Sequence, residues 1–335
     1  LNQERIERFR SFFKEWDVEG ALIENVTDLF YFLGLQLSAG VLLISRDQVV
    51  LFLDGRYLEW VKHSIDCRIE SLSVALLKSA LKSLGRIAID SHTTTLEEWK
   101  KWQGIHGELL LPISRLTKWV RAIKDNVELE ALNRSEELLF EGFLHILEHL
   151  RVGVKEREVA HAFELFCLKK GAEKLAFDPI IAFGANSAYP HYRAGNATLR
   201  KDDIVLCDVG VVLDHYHSDM TRMIFQGKVD SELSFLDDVV KKAQAEAIRL
   251  CKSGMKVGDL DRVALEIIRE ADLERWVAHS LGHGIGLETH EFPRLKHDGE
   301  DRDFLLQKGM TITIEPGLYV PGLGGIRWEN RVVIE

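Results

Sequence analysis

The sequence predicts a two-domain chain: an α/β domain with a mixed sheet over residues 1–118, then an α+β domain over residues 119–335. Three observations carry that prediction. At 335 residues the chain has room for two buried cores. Helix and strand signals alternate through roughly the first 115 residues. Beyond Leu116 the alternation gives way to a run almost free of Gly and Pro, with Leu, Ile and Phe at helical spacing and many Glu and Lys between them.

Ile6, Phe9, Phe13 and Trp16 recur at helical spacing, and Gly20 leads into a short strand over 21–24. Apolar runs at 41–45 and 49–53 flank Arg46-Asp47-Gln48, the pattern of a β-hairpin. A helix over 56–65, a strand over 67–72, a helix over 74–84 and a strand over 86–90 complete the first domain. In the second, residues 118–150 predict one long helix or a pair, and 155–170 another that ends at Gly171. Strands follow at 179–183, 204–209 and 223–225, with helices over 233–252 and 258–271. Strands and loops rich in His and Gly finish the chain.

Composition narrows the function. The chain is 46% apolar and 29% charged, which is globular and not disordered. Its 43 Lys+Arg against 53 Asp+Glu give a net charge of −10, which argues against nucleic acid or an anionic membrane as a main partner. No apolar run approaches the roughly 20 residues that span a bilayer. The charged start, Leu1 to Arg10, has no apolar stretch of the kind a signal peptide needs. Cys67, Cys167, Cys207 and Cys251 are scattered without a C-x-x-C pair, as expected of reduced thiols in a cytoplasmic protein.

Chemistry concentrates in the second domain. Seven of the 13 histidines fall between His191 and His297. Asp208 interrupts the apolar run Ile204-Val205-Leu206-Cys207, where a carboxylate is costly unless paired or bound to a metal. If 204–212 and 215–225 form a hairpin centred between Leu213 and Asp214, Asp208 and Asp219 face each other, and a divalent cation is the simplest remedy for their repulsion. The plainer alternative makes Asp219 a turn cap. His279-Ser280-Leu281-Gly282-His283-Gly284-Ile285-Gly286 fails the G-x-G-x-x-G spacing of a dinucleotide loop, and His290-Glu291 fails H-E-x-x-H because Arg294 stands at the second histidine position. Alternation puts Thr311, Thr313 and Glu315 on one strand face. Glu329, in Gly325-Ile326-Arg327-Trp328-Glu329-Asn330, has a solvated edge as its plainer setting. Two Asp, one His and two Glu together suit two divalent ions of the Mn, Co, Zn or Fe kind better than a Cys-rich zinc site.

The ordered set Asp208, Asp219, His283, Glu315, Glu329, with its local motifs, resembles the dinuclear metallopeptidases of the pita-bread fold, a group that includes methionine aminopeptidase, aminopeptidase P and prolidase. Leu53-Asp54-Gly55-Arg56-Tyr57 resembles the creatinase-type N-terminal domain of the aminopeptidase P and prolidase branch. The resemblance spans essentially the whole chain. It implies that Asp208 chelates one metal, that Asp219 and Glu329 bridge both, and that His283 and Glu315 complete the second. It further implies that His191 sits near the scissile amide, that His279 and His290 line the substrate site, and that Arg327 stands beside the bridging glutamate. His215, Trp328 and Asn330 depart from the family pattern, and Asn330 puts a second-sphere negative charge in doubt.

The activity so implied is that of an Xaa-Pro aminopeptidase with two divalent ions, Mn2+ first and Co2+, Zn2+ or Fe2+ as alternatives. Glu315 would move a proton from water toward the leaving nitrogen, with His279 and His290 steadying the oxyanion or the amine. The substrates expected are short peptides with proline at the second position, and the assembly a homodimer. A prolidase confined to Xaa-Pro dipeptides is the close rival. A metal-free creatinase-like C–N hydrolase and a non-catalytic binding module are the more distant ones.

Overall fold

The computed structural model describes residues 1–335 and resolves into two compact units, Leu1–Arg121 and Ala122–Glu335. The units meet three residues beyond the expected 118/119 division, because the turn of helix at Lys118–Ala122 closes the first one. Within that unit Arg121 pairs at 2.9 Å with the buried Asp28, which also accepts a hydrogen bond from Thr117.

The first unit is a six-stranded mixed sheet. Its strands lie in the order Arg68–Ser71, Val49–Leu53, Val41–Ser45, Gly20–Ile23, Ile87–Asp90, Leu110–Ile113. The hairpin at 41–53 is antiparallel, while Gly20–Ile23, Ile87–Asp90 and Leu110–Ile113 run parallel. Leu22, Leu43, Phe52, Ile87 and Trp102 fill the core. The helix expected over 56–65 shrinks to Leu58–Val61, since Asp54 folds back and accepts a hydrogen bond from the Arg56 backbone at 2.9 Å. Two helices escaped the sequence reading, Val26–Leu33 and Leu96–His106.

In the second unit the expected long helical region is a pair, Lys118–Ala122 and Asn126–His149, of which only the latter lies wholly inside the unit. Asp125 starts the long helix with a reciprocal cap to Glu128. It packs with Glu156–Lys169 over the strands Ile180–Phe183 and Ile204–Val209, burying Leu139, Phe163, Cys167, Val205 and Cys207. A four-stranded sheet orders Glu291–Leu295, Gly282–Gly284, Thr311–Ile314 and Asn330–Val333. Gly317–Val320 and Gly324–Arg327 form a separate hairpin. The helix Ser231–Leu250 covers these elements from one side. No helix is long and apolar enough to cross a membrane, and all four cysteines are free.

The 204–225 hairpin forms, but its register differs from the expected one. Val209 faces Met220 and Asp208 faces Thr221, so Asp208 and Asp219 are diagonal and not opposite. The turn is the two-residue one at Asp214 and His215, with φ of 51° and 69°, a conformation that favours glycine and explains why His215 is unusual there. Moving the centre by one residue moves each partner by two. Side chains alternate with period two, so both aspartates still share a face. The ladder breaks at Gly210, where a Cβ would fall 2.3 Å from the Ser218 carbonyl oxygen.

Candidate metal centre

Four stretches of chain deliver the acidic cluster. Asp208 and Asp219 come from the hairpin, His283 from the strand Gly282–Gly284, and Glu315 from the end of Thr311–Ile314. Glu329 precedes Asn330–Val333. Asp219, His283 and Glu329 are all buried, and one ligand atom of each lies within 4.8 Å of the others. Glu315 Oε1 lies 3.4 Å from His283 Nε2, and Asp219 Oδ2 lies 3.7 Å from the same nitrogen. Asp208 is held from the other side by Arg327.

The local sequence explains how a histidine reaches this centre. Gly282 lets its strand press against Thr311–Ile314, since a Cβ there would fall 2.0 Å from the Thr313 carbonyl oxygen. The glycine thus admits a neighbouring strand. Thr313 Oγ1 accepts the His283 backbone N–H at 3.2 Å. Gly282→Ala should therefore destabilise the protein by about 3 kcal/mol, the cost of forcing backbone apart in a packed interior. A urea melt checks this, and an unchanged midpoint would count against the close crossing.

The electrostatics are those of crowded carboxylates out of water. Burial and then the charges of Glu329, Asp208 and Glu315 push the Asp219 pKa well above its ordinary value. Glu329 is pushed up to about 7, by burial first and then by Asp208. Glu315 moves the same way, by burial and Glu329. Burial pushes the His283 pKa down to about 3, so the ring is neutral at physiological pH. Its Nδ1 lies 3.0 Å from the Gly284 carbonyl, which places the proton on Nδ1 and leaves the Nε2 lone pair facing the carboxylates. One oxygen each of Asp208, Asp219 and Glu329 is buried without any hydrogen-bond partner. Three orphaned carboxylate oxygens around a free imidazole lone pair are the donor set of a divalent-cation site.

The other expected residues distribute differently. His290 lies 4.3 Å from His283, ring centre to ring centre, with the rings tilted by 58°, at the exposed edge of the cluster. His191 is exposed, and its charge lowers the proton affinity of both His279 and His290. His279 is engaged at both nitrogens, with Nδ1 2.9 Å from the Ser280 carbonyl and Nε2 2.7 Å from the Tyr319 hydroxyl. These two bonds fix the ring beside the Tyr319 hydroxyl. Arg327 reaches Glu329 through the Thr221 hydroxyl. It donates to Tyr319 at 2.6 Å, to Thr221 at 3.0 Å and to Asp208, and Thr221 in turn donates to Glu329 at 2.9 Å. Asn330 is exposed, so its departure from the family pattern falls outside the buried cluster.

Comparison with known proteins adds to this geometry. Residues 130–335 match the model of metallopeptidase family M24, and residues 5–123 match the creatinase/prolidase N-terminal domain. The chain belongs to metallopeptidase family M24. It is 33% identical to an Xaa-Pro dipeptidase of Pyrococcus furiosus, over 99% of this chain and 95% of that protein. The structure of an Xaa-Pro dipeptidase from Bacillus anthracis superposes with a TM-score of 0.94 at 32% identity, covering 99% of this chain and 95% of that one. An X-Pro aminopeptidase from Thermotoga maritima superposes at 0.86 with 31% identity, over 98% and 95% of the two chains.

This M24 peptidase thus has the two-domain pita-bread architecture that the resemblance implied, and it is a metallo-exopeptidase. The family uses divalent ions, and the orphaned oxygens above fit them. Residues that the sequence did not single out are Tyr319 and Thr221, both hydrogen-bonded into the cluster, while Thr313, expected on the Glu315 face, accepts the His283 backbone N–H. A signal existed for one of them: Tyr319 keeps the period-two spacing of Glu315 and Gly317.

Proposed function

We propose that this peptidase is an Xaa-Pro dipeptidase, in place of the Xaa-Pro aminopeptidase expected from the sequence. The observation that carries the reading is near full-length similarity to proteins named Xaa-Pro dipeptidase or prolidase. Arg294 supports it. This exposed residue faces His283 in the strand ladder, and its charge lowers the proton affinity of both His279 and His290. A guanidinium there suits the free carboxylate that follows the scissile bond only in a dipeptide.

In this reading Asp208, Asp219, His283, Glu315 and Glu329 hold two divalent ions, Mn2+ by preference because four carboxylates outnumber one imidazole. Asp219 and Glu329 would serve both ions. When bound, the ions polarise the peptide carbonyl and acidify the attacking water. Glu315, whose pKa is raised by burial and then by Glu329, would take a proton from the attacking water and pass it to the proline nitrogen. That nitrogen carries no N–H and must receive one to leave. His290 and His191 sit at the exposed edge, where the departing amine and the substrate carbonyl would be met. Cytoplasmic residence, supported by four unpaired cysteines, and a homodimer complete the proposal.

The test compares Xaa-Pro with Xaa-Pro-Yaa peptides at matched Mn2+. Hydrolysis confined to dipeptides is expected; equal or faster cleavage of the tripeptide would favour the aminopeptidase reading that the Thermotoga maritima structure keeps open. Arg294→Ala should raise KM for the dipeptide about 10- to 100-fold with little change in kcat, the loss of one charge-assisted contact. An unchanged KM would remove Arg294 from carboxylate recognition.

A further inference from the structure

The helix Ser231–Leu250 carries two buried polar side chains, Asp237 and Gln244, where the rest of its inward face is Leu233, Leu236, Val240, Ala243 and Ala247. They are seven residues apart, two turns, and so lie on one face. Asp237 accepts a hydrogen bond from the Trp328 indole at 2.6 Å. Lys241 pairs with Asp237 at 2.7 Å and also stands 4.6 Å over the Trp328 ring. Gln244 donates its amide to the Ile314 carbonyl at 3.0 Å. Trp328 is the residue before Glu329, and Ile314 is the residue before Glu315. Each buried polar group on the helix therefore ends on the immediate neighbour of one candidate ligand glutamate.

Apolar residues at 237 and 244 would continue the helix's buried face without the desolvation that a carboxylate and an amide incur. The two glutamates need fixing for a separate reason. They carry like charges in a cluster that pushes its members apart, and side-chain contacts alone leave the backbone beneath them free to shift. The other flank of each is held at its backbone: Glu315 N–H donates to the Leu281 carbonyl at 2.7 Å, and the Arg222 guanidinium donates to the Glu329 carbonyl at 2.6 Å.

We propose that Asp237 and Gln244 are positioning residues for the metal centre, a two-point clamp by which one helix sets the register of Glu315 and Glu329. The clamp touches neither metal nor substrate and acts through Ile314 and Trp328. It gives the unusual Trp328 a role, since an aliphatic residue at 328 has no N–H to donate. The inference rests on these glutamates being metal ligands and is independent of which peptide is cut.

The experiment measures Mn2+ binding to the full chain by calorimetry after chelation and dialysis, alongside the melting temperature of the chelated protein. Asp237→Ala and Gln244→Met should each weaken Mn2+ binding about 10-fold, as losses of outer-shell partners do, and together about 100-fold. Asp237→Asn keeps an acceptor for the indole and should bind Mn2+ within about 3-fold of the parent, although it loses the Lys241 ion pair. Trp328→Phe, which keeps a ring and removes the donor, should match Asp237→Ala. Parental Mn2+ affinity in the Asp237→Ala, Gln244→Met double variant would overturn the clamp. So would an Asp237→Asn loss as large as that of Asp237→Ala, because general destabilisation does not discriminate between them. Glu329→Gln is the control: its loss of binding alongside an unaffected double variant refutes the clamp alone, whereas parental binding in Glu329→Gln refutes the ligand assignment beneath it.

Discussion

Asp219→Asn should abolish peptide hydrolysis and yet make the metal-free protein harder to unfold. Asp219 is 7% exposed, with one oxygen lacking any partner and three carboxylates acting on its charge. The substitution removes one buried negative charge from a like-charged group and keeps the side chain's size. The chelated variant should therefore unfold at a higher denaturant concentration than the chelated parent. Metal content should fall in the same variant, and hydrolysis of an Xaa-Pro dipeptide should drop by more than about 100-fold, the upper end for losing a mere outer-shell partner. Elemental analysis, a peptide assay and a denaturant melt on one preparation read all three. Parental hydrolysis would refute the ligand role, and a chelated variant less stable than the chelated parent would refute the electrostatic account.

The contribution of Glu329 to the stability of the metal-free protein, read as the difference between the parent and Glu329→Gln, should fall as pH rises from about 4.5 to 7. His283 and His279, lowered by burial to about 3 and about 4, act the opposite way in both proteins. The folded-state pKa of Glu329 is raised from 4.5 to about 7, chiefly by burial and then by Asp208, and Asp219 is raised too. Between those pH values the folded chain holds protons at these carboxylates that the unfolded chain has released, so their contribution to stability declines with pH. The contribution is fully present below about pH 4.5 and lost as pH passes through about 7. For Glu329 alone it corresponds to about 3 kcal/mol. Saturating Mn2+ should reverse the slope, because bound metal favours the deprotonated ligands. Urea midpoints of the parent and Glu329→Gln at pH 5, 6, 7 and 8, with chelator and with Mn2+, decide it; a chelated parent that gains stability relative to Glu329→Gln across the window would contradict the burial of these carboxylates.

Much of the fold was legible. The mixed sheet of the first unit followed from alternating apolar runs, and the hairpin at 41–53 from the spacing of its two strands. The misses have local causes. Thr95 and Glu98 form a capping box that marks the helix Leu96–His106, a signal written in Thr95-Leu96-Glu97-Glu98. Pro112 obscured the strand Leu110–Ile113, which tolerates it because that strand lies at the edge of the sheet. The 204–225 register was misplaced because hydrophobic alternation fixes which face a side chain takes but is blind to a slip of two residues.

By itself the sequence determined which side chains could hold metal, the faces on which they lie, and a family likeness spanning the whole chain. Alternation and residue chemistry are local and survive in a linear string. Only the tertiary structure decided that Asp208, Asp219, His283, Glu315 and Glu329 converge, that Arg327 serves Asp208 and Tyr319, and that His279 is occupied at both nitrogens. It also decided that Asp237 and Gln244 reach the neighbours of two glutamates far along the chain. The physical reason is desolvation. A carboxylate's pKa and its need for a cation arise from what the fold packs around it, and water surrounds the same residue in the extended chain.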